Sequence, residues 1–138
     1  MKKIFVLHKE DALLQSYEDF LTSMGYEVFA TTNYYKFLLY AGEISSDFFI
    51  FDADDNLDNN FIKMLKNQSK AKDIPLLLII NKAAKVQIPP EVTHLLLKPF
   101  DVTDFIKILH QYEQNPAQNE FFYVENAQKS QDSANILR

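Results

Sequence analysis

Short apolar runs alternate with amphipathic stretches along most of this chain. Five apolar runs predict β-strands, at residues 3–7, 26–31, 47–52, 74–80 and 94–100. Apolar side chains also recur every three or four positions, which predicts helices over residues 10–25, 32–44, 59–68 and 101–114. Strands that are apolar on both faces and separated by helices are typical of a parallel sheet covered on both sides. The pattern therefore predicts an α/β fold.

One helix is incomplete in this alternation. Residues 81–92, NKAAKVQIPPEV, separate the fourth and fifth predicted strands, where a parallel sheet requires a crossover helix. Pro89 and Pro90 prevent a helix from running through the end of this segment, so about one turn fits around residues 83–86. We expect a degenerate fourth helix.

The alternating pattern ends at residue 114. Residues 115–138 are rich in Asn, Gln and Ser, which is typical of a polar C-terminal tail or linker. The apolar patch FFYV at 121–124 interrupts this tail, and it packs back on the domain, pairs with the sheet or binds a partner. We predict a domain over residues 1–114 and a tail over residues 115–138.

Composition narrows the functional classes. A formal net charge of -5 argues against nucleic-acid binding, which needs a basic surface. No apolar stretch approaches the ~20 residues of a membrane-spanning helix, so no membrane partner is expected. The chain has no cysteine, which excludes disulfides and thiolate metal sites and fits a cytoplasmic location. With two glycines, the chain also lacks a Gly-rich phosphate-binding loop.

Polar residues at the ends of the predicted strands mark a candidate site. Asp52 ends the third strand, DFFIFD. Four more polar residues lie at or next to the ends of other strands: His8, Lys9, Asn81 and Lys98. Ligands of parallel α/β sheets bind outside the carboxyl ends of the strands, so we expect these side chains to share one site.

Asp52 ends an apolar strand, and Lys98-Pro99-Phe100 is followed by an Asp-capped helix. With these marks, residues 1 to 113 resemble the receiver domains of two-component response regulators. The resemblance implies a flavodoxin-like (βα)5 fold, which is a doubly wound, five-stranded parallel sheet of order 2-1-3-4-5. In receivers, the aspartate at the position of Asp52 is phosphorylated with the help of one Mg²⁺. The lysine at the position of Lys98 contacts the phosphoryl group.

Other positions depart from the receiver pattern. Receivers carry two acidic residues directly after the first strand to help hold Mg²⁺, but His8 and Lys9 stand there. The Ser or Thr that ends the fourth strand is replaced by Ile80, with Asn81 next to it. Leu95 replaces the aromatic residue of the fifth strand. Because Mg²⁺ requires oxygen ligands, we expect the metal site and the switch to be degenerate.

The carboxylates near the site are weak metal candidates. Glu10 and Asp11 are expected to cap the first helix and to complement its dipole, although a shift of one or two residues would bring Glu10 towards the pocket. Asp54 and Asp55 are expected to lie in a solvated loop.

These features lead to the hypothesis of a phosphorylation-independent pseudo-receiver. It is a non-enzymatic protein–protein interaction module in bacterial signal transduction, without a cofactor. Asp52 then forms a structural ion pair with Lys98, and His8 forms a charge-assisted pair with the same carboxylate. The alternative is a genuine phospho-accepting receiver, in which Glu10, Asp11 and Asp52 form a rearranged Mg²⁺ site.

A phosphatase of the haloacid dehalogenase type is a third interpretation, with Asp52 as nucleophile, Asp54 as general acid/base and Lys98 beside them. That Asp-x-Asp pattern normally ends the first strand of its domain rather than the third. It also needs a downstream acidic pair at a strand end. The later candidates do not form such a pair: Glu91, Asp101 and Asp104.

Two apolar surfaces are predicted to contact a protein partner or a second copy of the chain. In the second helix, the predicted inward stripe consists of Tyr34, Phe37, Leu38 and Ala41. Three other apolar residues of this helix lie on its other faces: Tyr35, Leu39 and Tyr40. The second surface is the patch at 121–124, with Phe121 and Phe122. Clusters of this kind at a protein surface mark interaction sites.

Overall fold

The computed structural model describes residues 2–114 and 122–124. The strands are β1 (Lys3–His8), β2 (Glu27–Thr31), β3 (Phe48–Asp54), β4 (Leu76–Asn81), β5 (His94–Lys98) and β6 (Phe122–Val124). The helices are α1 (Asp11–Ser23), α2 (Tyr34–Glu43), α3 (Asn59–Lys66) and α4 (Val102–Gln114). None of the helices in the described residues is both long and apolar enough to cross a membrane.

All strands form one parallel sheet in the order β2-β1-β3-β4-β5-β6. The first five strands therefore have the predicted flavodoxin-like order 2-1-3-4-5. The register places His8 of β1 beside Asp52 of β3, and Asn81 of β4 beside Lys98 of β5. Because the strands are parallel and in register, the polar residues that end them meet at one end of the sheet.

Helices cover both faces of the sheet. On one face, α2 and α3 bury an aromatic cluster against the strands, and its members are Phe5, Phe37, Phe49, Phe51 and Phe61. On the other face, α1 and α4 pack Tyr17, Leu21, Phe105 and Ile108 against the alternate strand residues. The strands are thus buried on both sides, as their continuous apolar sequences predict.

No helix forms between β4 and β5, which confirms the predicted degeneracy. Residues 82–93 contain turns and extended backbone, and they bury Ile88 and Val92 against the α2–α3 face of the sheet. The backbone N–H of Leu76 donates to the Thr93 hydroxyl, which fixes the end of this segment to β4. Two buried side chains therefore cover the area that a crossover helix would cover.

Side-chain caps mark the starts of α2, α3 and α4. The side chain of Asn33 accepts a hydrogen bond from the N–H of Lys36 at the start of α2, and Asp58 does the same for Phe61 at the start of α3. At α4, Asp101 accepts from the N–H of Asp104, whose carboxylate accepts from the N–H of Asp101. This reciprocal pair is a capping box, and it includes the aspartate cap predicted for this helix.

The apolar patch supplies an additional strand. Residues 122–124 form β6, which pairs with β5 in the register His94↔Phe122 and Leu96↔Val124. Of the three arrangements open for the patch, the backbone therefore adopts pairing with the sheet. Phe121 and the polar residues at 115–120 and 125–138 lie outside the described residues, so the predicted tail stays a prediction.

Candidate functional site: a buried carboxylate cluster

The polar residues that end β1, β3 and β5 meet in a buried cluster. Lys98 Nζ lies 2.8 Å from Asp52 Oδ2 and 2.6 Å from Asp54 Oδ1. The side chain of Asp52 is fully buried, whereas those of Lys98 and Asp54 keep about a fifth of their surface exposed, 20% and 22%. One lysine thus bridges two carboxylates at the mouth of the site.

Asp52 has further donors around it. The Tyr17 hydroxyl of α1 donates to Asp52 Oδ2 over 2.6 Å, and the backbone N–H of Asp54 donates to Asp52 Oδ1 over 3.2 Å. Burial raises the pKa of Tyr17, and the neighbouring Asp52 raises it further, so this hydroxyl keeps its proton. The buried carboxylate therefore has donors on both of its oxygens, as a buried charge requires.

Asp54 lies in the cluster rather than in the solvated loop expected from sequence. The pairing of β3 with β4 shifts between Asp52 and Asp54, and Asp54 adopts a left-handed backbone with φ of 54°. This bulge turns its carboxylate back towards Lys98, whereas Asp55 is exposed as predicted. Aspartate is among the residues that tolerate this conformation without a glycine.

His8 points its imidazole at both carboxylates. Its Nδ1 accepts a hydrogen bond from the backbone N–H of Glu10 over 2.8 Å, so the ring proton lies on Nε2. Nε2 is 3.3 Å from Asp52 Oδ2 and 3.7 Å from Asp54 Oδ2, without a well-formed hydrogen bond to the described residues. The Nε2 side of the ring therefore faces both carboxylates at ion-pair distance.

The hydrogen bonds within the cluster favour the charged forms of Asp54 and Lys98. The hydrogen bond from Lys98 lowers the pKa of Asp54, more than its partial burial raises it. Burial acts to lower the pKa of Lys98, but its hydrogen bonds to Asp52 and Asp54 outweigh this and raise the pKa above its ordinary value. The lysine and Asp54 therefore stay ionised over the whole neutral range.

The remaining predicted site residues surround the cluster without joining it. Lys9, Glu10 and Asp11 are exposed at the start of α1, where Glu10 occupies the N-cap position without a side-chain cap hydrogen bond. Ile80 is buried in the core and lies opposite Asp54 in the sheet. Asn81 accepts from the N–H of Ala83. Leu95 is buried in the core on the α2–α3 face.

Ligand atoms of His8, Asp52 and Asp54 lie within 4.8 Å of one another, which is close enough to hold a metal ion, but their chemistry is a poor match to a receiver-type Mg²⁺ site. A cation between Asp52 and Asp54 would meet the proton on His8 Nε2, and the ammonium of Lys98 already contacts both carboxylates. Glu10 and Asp11, the candidate additional ligands, are exposed on α1. Because Mg²⁺ needs about six oxygen ligands in near-octahedral geometry, a set of two carboxylates that already neutralise a lysine is a poor site.

Comparisons with known proteins identify the fold. No family model and no curated protein matches the sequence. Among solved structures, the chemotaxis response regulator CheY4 of Vibrio cholerae is 24% identical, with a TM-score of 0.66 over 80% of this chain and 98% of that one. The fold is that of a response regulator receiver domain.

Two further structures show the same receiver fold. The receiver-modulated diguanylate cyclase of Pelobacter carbinolicus is 22% identical, with a TM-score of 0.66 over 83% of this chain and 94% of that one. The receiver domain of the sensor histidine kinase PA1611 of Pseudomonas aeruginosa is 19% identical, with a TM-score of 0.67 over 80% and 96% of the chains. The latter structure contains a magnesium ion in its active-site cleft.

Two residues of the cluster have no clear sequence signal. Tyr17 belongs to the apolar stripe of α1, so its periodicity indicates a core residue and not a donor to Asp52. The sequence pattern ends the third strand at Asp52, so it predicts that Asp54 lies beyond the strand. The bulge in β3 is what brings the Asp54 carboxylate to the site. The Asp-x-Asp sequence after a buried strand also fits the phosphatase interpretation, so by itself it does not place Asp54 in this cluster.

The predicted interaction residues of α2 lie on different surfaces. Tyr35 and Leu39 face solvent, with exposed fractions of 74% and 43%. Tyr40 differs from the outward position expected from sequence, because its ring packs on Phe29 of β2 with the centroids 4.5 Å apart. Tyr40 therefore covers β2 at the edge of the sheet. Phe122 lies in β6, whereas Phe121 lies outside the described residues.

We expect Asp54→Asn to lower the free energy of unfolding at neutral pH and to have little effect in strong acid. Asn tolerates the positive φ of this position, so the substitution removes mainly the charge. Because the folded-state pKa is lowered, the stabilisation is present above the unfolded value of about 3.9 and is lost as the pH falls through the folded value. Urea unfolding of both proteins between neutral and acid pH measures this difference, and a pH-independent difference would contradict it.

Proposed function

We propose that this chain is a phosphorylation-independent pseudo-receiver, which acts as a cytoplasmic protein–protein interaction module in bacterial signalling. The observation that carries this proposal is the position of His8 Nε2–H, which faces Asp52 and Asp54 where a metal would need to bind. A phosphoryl group on Asp52 would also lack the hydroxyl contact, because Ile80 stands at that position.

The same geometry supports a structural role for the Asp52–Lys98 pair. Asp52 accepts a hydrogen bond from Tyr17 of α1 and contacts Lys98 of β5, so it links one helix to two strands, β3 and β5. In this role the carboxylate must keep its hydrogen bond and its ion pair, whereas a phosphoacceptor must be free to attack a donor. The cluster therefore acts to hold the strand ends together.

We expect no stable phosphorylation of Asp52 by acetyl phosphate in the presence of Mg²⁺. Intact-protein mass spectrometry measures the phosphoryl adduct, with Asp52→Asn as the control that lacks the acceptor. Addition of beryllofluoride, followed by NMR, checks the same point without a covalent bond. A high-yield adduct in the wild-type chain that is absent from Asp52→Asn would instead establish a phospho-accepting receiver.

The phosphatase interpretation finds no support in the geometry. Asp101 and Asp104 are engaged in the capping box of α4, so they do not complete a second acidic pair beside Asp52. Asp54, the proposed general acid/base, is bound to Lys98 and held ionised by it. We therefore assign the chain to binding rather than catalysis.

A further inference from the structure

Helices α2 and α3 leave an apolar groove between them on the surface of the domain. The groove has a volume of ≈ 440 Å³ and is lined by Tyr35, Leu38, Leu39, Met64, Asn67 and Gln68. Met64 is 57% exposed, which is unusual for a methionine on a short helix that already buries three other residues. Tyr35, Leu39 and Met64 are exposed, and an apolar cluster of this kind at a surface marks an interaction site.

The base of the groove has a defined shape. The side-chain amide of Gln68 donates to the backbone oxygen of Leu38 over 3.0 Å and lies directly on Gly42. A Cβ atom at Gly42 would come within 2.1 Å of Gln68 Oε1, so only glycine lets this side chain lie flat. Lys70 Nζ donates to the backbone oxygen of Glu43 and fixes the same end of the two helices.

Lysines outnumber acidic residues in the two segments that form the groove, which Asp58 and Asp73 flank, although the protein is acidic. Residues 34–43 and 59–72 contain one acidic residue, Glu43, in a chain whose formal net charge is -5. The same residues contain five lysines: Lys36, Lys63, Lys66, Lys70 and Lys72. Lys36 and Lys63 are exposed on α2 and α3, next in sequence to the groove residues Tyr35 and Met64.

We propose that the α2–α3 groove binds an acidic amphipathic helix of a partner protein. This inference rests on the proposed function and specifies the partner of the α2 surface. An apolar stripe of the partner fills the groove between Leu39 and Met64, and flanking carboxylates pair with Lys36 and Lys63. A second copy of this chain is a poor occupant, because it would bring the lysines of both copies together.

A direct test uses a fluorescein-labelled, alanine-based peptide of about 15 residues, long enough to form helix, with Leu at helical spacing and Glu on the flanks. One control peptide carries Lys in place of Glu, and another has the same composition with Leu distributed around the helix. We expect the acidic striped peptide to bind at least about tenfold more tightly than either control, and its binding to shift NMR signals of α2 and α3.

Matched variants locate the binding site. Leu39→Ser/Met64→Ser should weaken binding of the acidic peptide by at least about tenfold, because it removes the apolar contacts. Val102→Ser/Ile106→Ser on α4 is the control, since these residues are similarly exposed, at 56% and 39%, on the opposite face. Lys36→Glu/Lys63→Glu should reverse the preference towards the basic peptide.

Gly42→Ala tests the shape of the groove separately from its charge. The new Cβ displaces Gln68, which then occupies the groove, while the better helix propensity of Ala offsets the lost hydrogen bond. We expect weaker peptide binding with an unchanged urea midpoint.

Four outcomes would overturn the proposal. They are an absence of shifts on α2 and α3, equal binding of acidic and basic peptides, self-association that Leu39→Ser/Met64→Ser abolishes, and binding of anionic phosphatidylserine vesicles through Lys36 and Lys63. Each of these leaves the phosphorylation result for Asp52 unaffected, so the groove and the pseudo-receiver proposal can fail independently.

Discussion

Replacing Lys98 with Met should lower the free energy of unfolding by about 3 kcal/mol, because it leaves Asp52 and Asp54 side by side without their cation. Removing one partner of a buried ion pair generally costs 3–5 kcal/mol, and the partial exposure of Lys98 and Asp54 places the expected value at about the lower limit. Met retains the length of the side chain, so loss of packing adds little. Urea denaturation at neutral pH measures the effect.

Two control variants separate the ion pair from other effects of removing a lysine. Lys107→Met removes an exposed lysine of α4 and should change stability by less than about 0.5 kcal/mol. Adding Asp52→Asn to Lys98→Met removes the unpaired buried charge and should recover part of the loss. If Lys98→Met unfolded at the same urea concentration as the wild type, the cluster would not be holding the strand ends together.

Mg²⁺ should stabilise the variant His8→Asp/Lys9→Asp but not the wild-type protein. The substitutions introduce the two acidic residues that receivers carry after the first strand, beside Asp52 and Asp54. Without metal, the added carboxylates repel those already present and the variant should be less stable than wild type. At a Mg²⁺ concentration of about ten times the dissociation constant, binding should return about 1.4 kcal/mol.

Thermal unfolding with and without Mg²⁺ measures this response, and His8→Asn/Lys9→Asn is the matched control without added charge. The control should be insensitive to Mg²⁺, because amides supply oxygen ligands without the negative charge that attracts the metal. A wild-type melting temperature that rises with Mg²⁺ as much as that of the acidic variant would favour a rearranged metal site and a phospho-accepting receiver.

The parts of the site that the sequence predicts are those fixed by strand ends. Asp52, Lys98 and His8 each end an apolar strand, and parallel pairing in register brings such residues together. The absent fourth helix also follows from a local pattern, since Pro89 and Pro90 act on their own backbone. The order of the first five strands agrees with what the receiver resemblance implies, and local patterns do not give it.

The parts that the sequence does not predict depend on contacts between distant residues. Asp54 enters the cluster through a bulge whose left-handed backbone has no glycine to signal it. Helical periodicity assigns Tyr17 to an inward face and Tyr40 to an outward face, but it does not identify the residues that these side chains contact. Their actual partners, Asp52 and Phe29, are set by how each helix lies on the sheet.

The pairing of β6 with β5 changes where this domain can be divided. A chain cut after residue 114, where the periodic pattern ends, would leave the outer side of His94–Leu96 without its neighbouring strand. An open, apolar edge strand of this kind recruits other chains and promotes aggregation. Removal of β6 is therefore expected to expose the edge of β5 as a site for pairing with other chains.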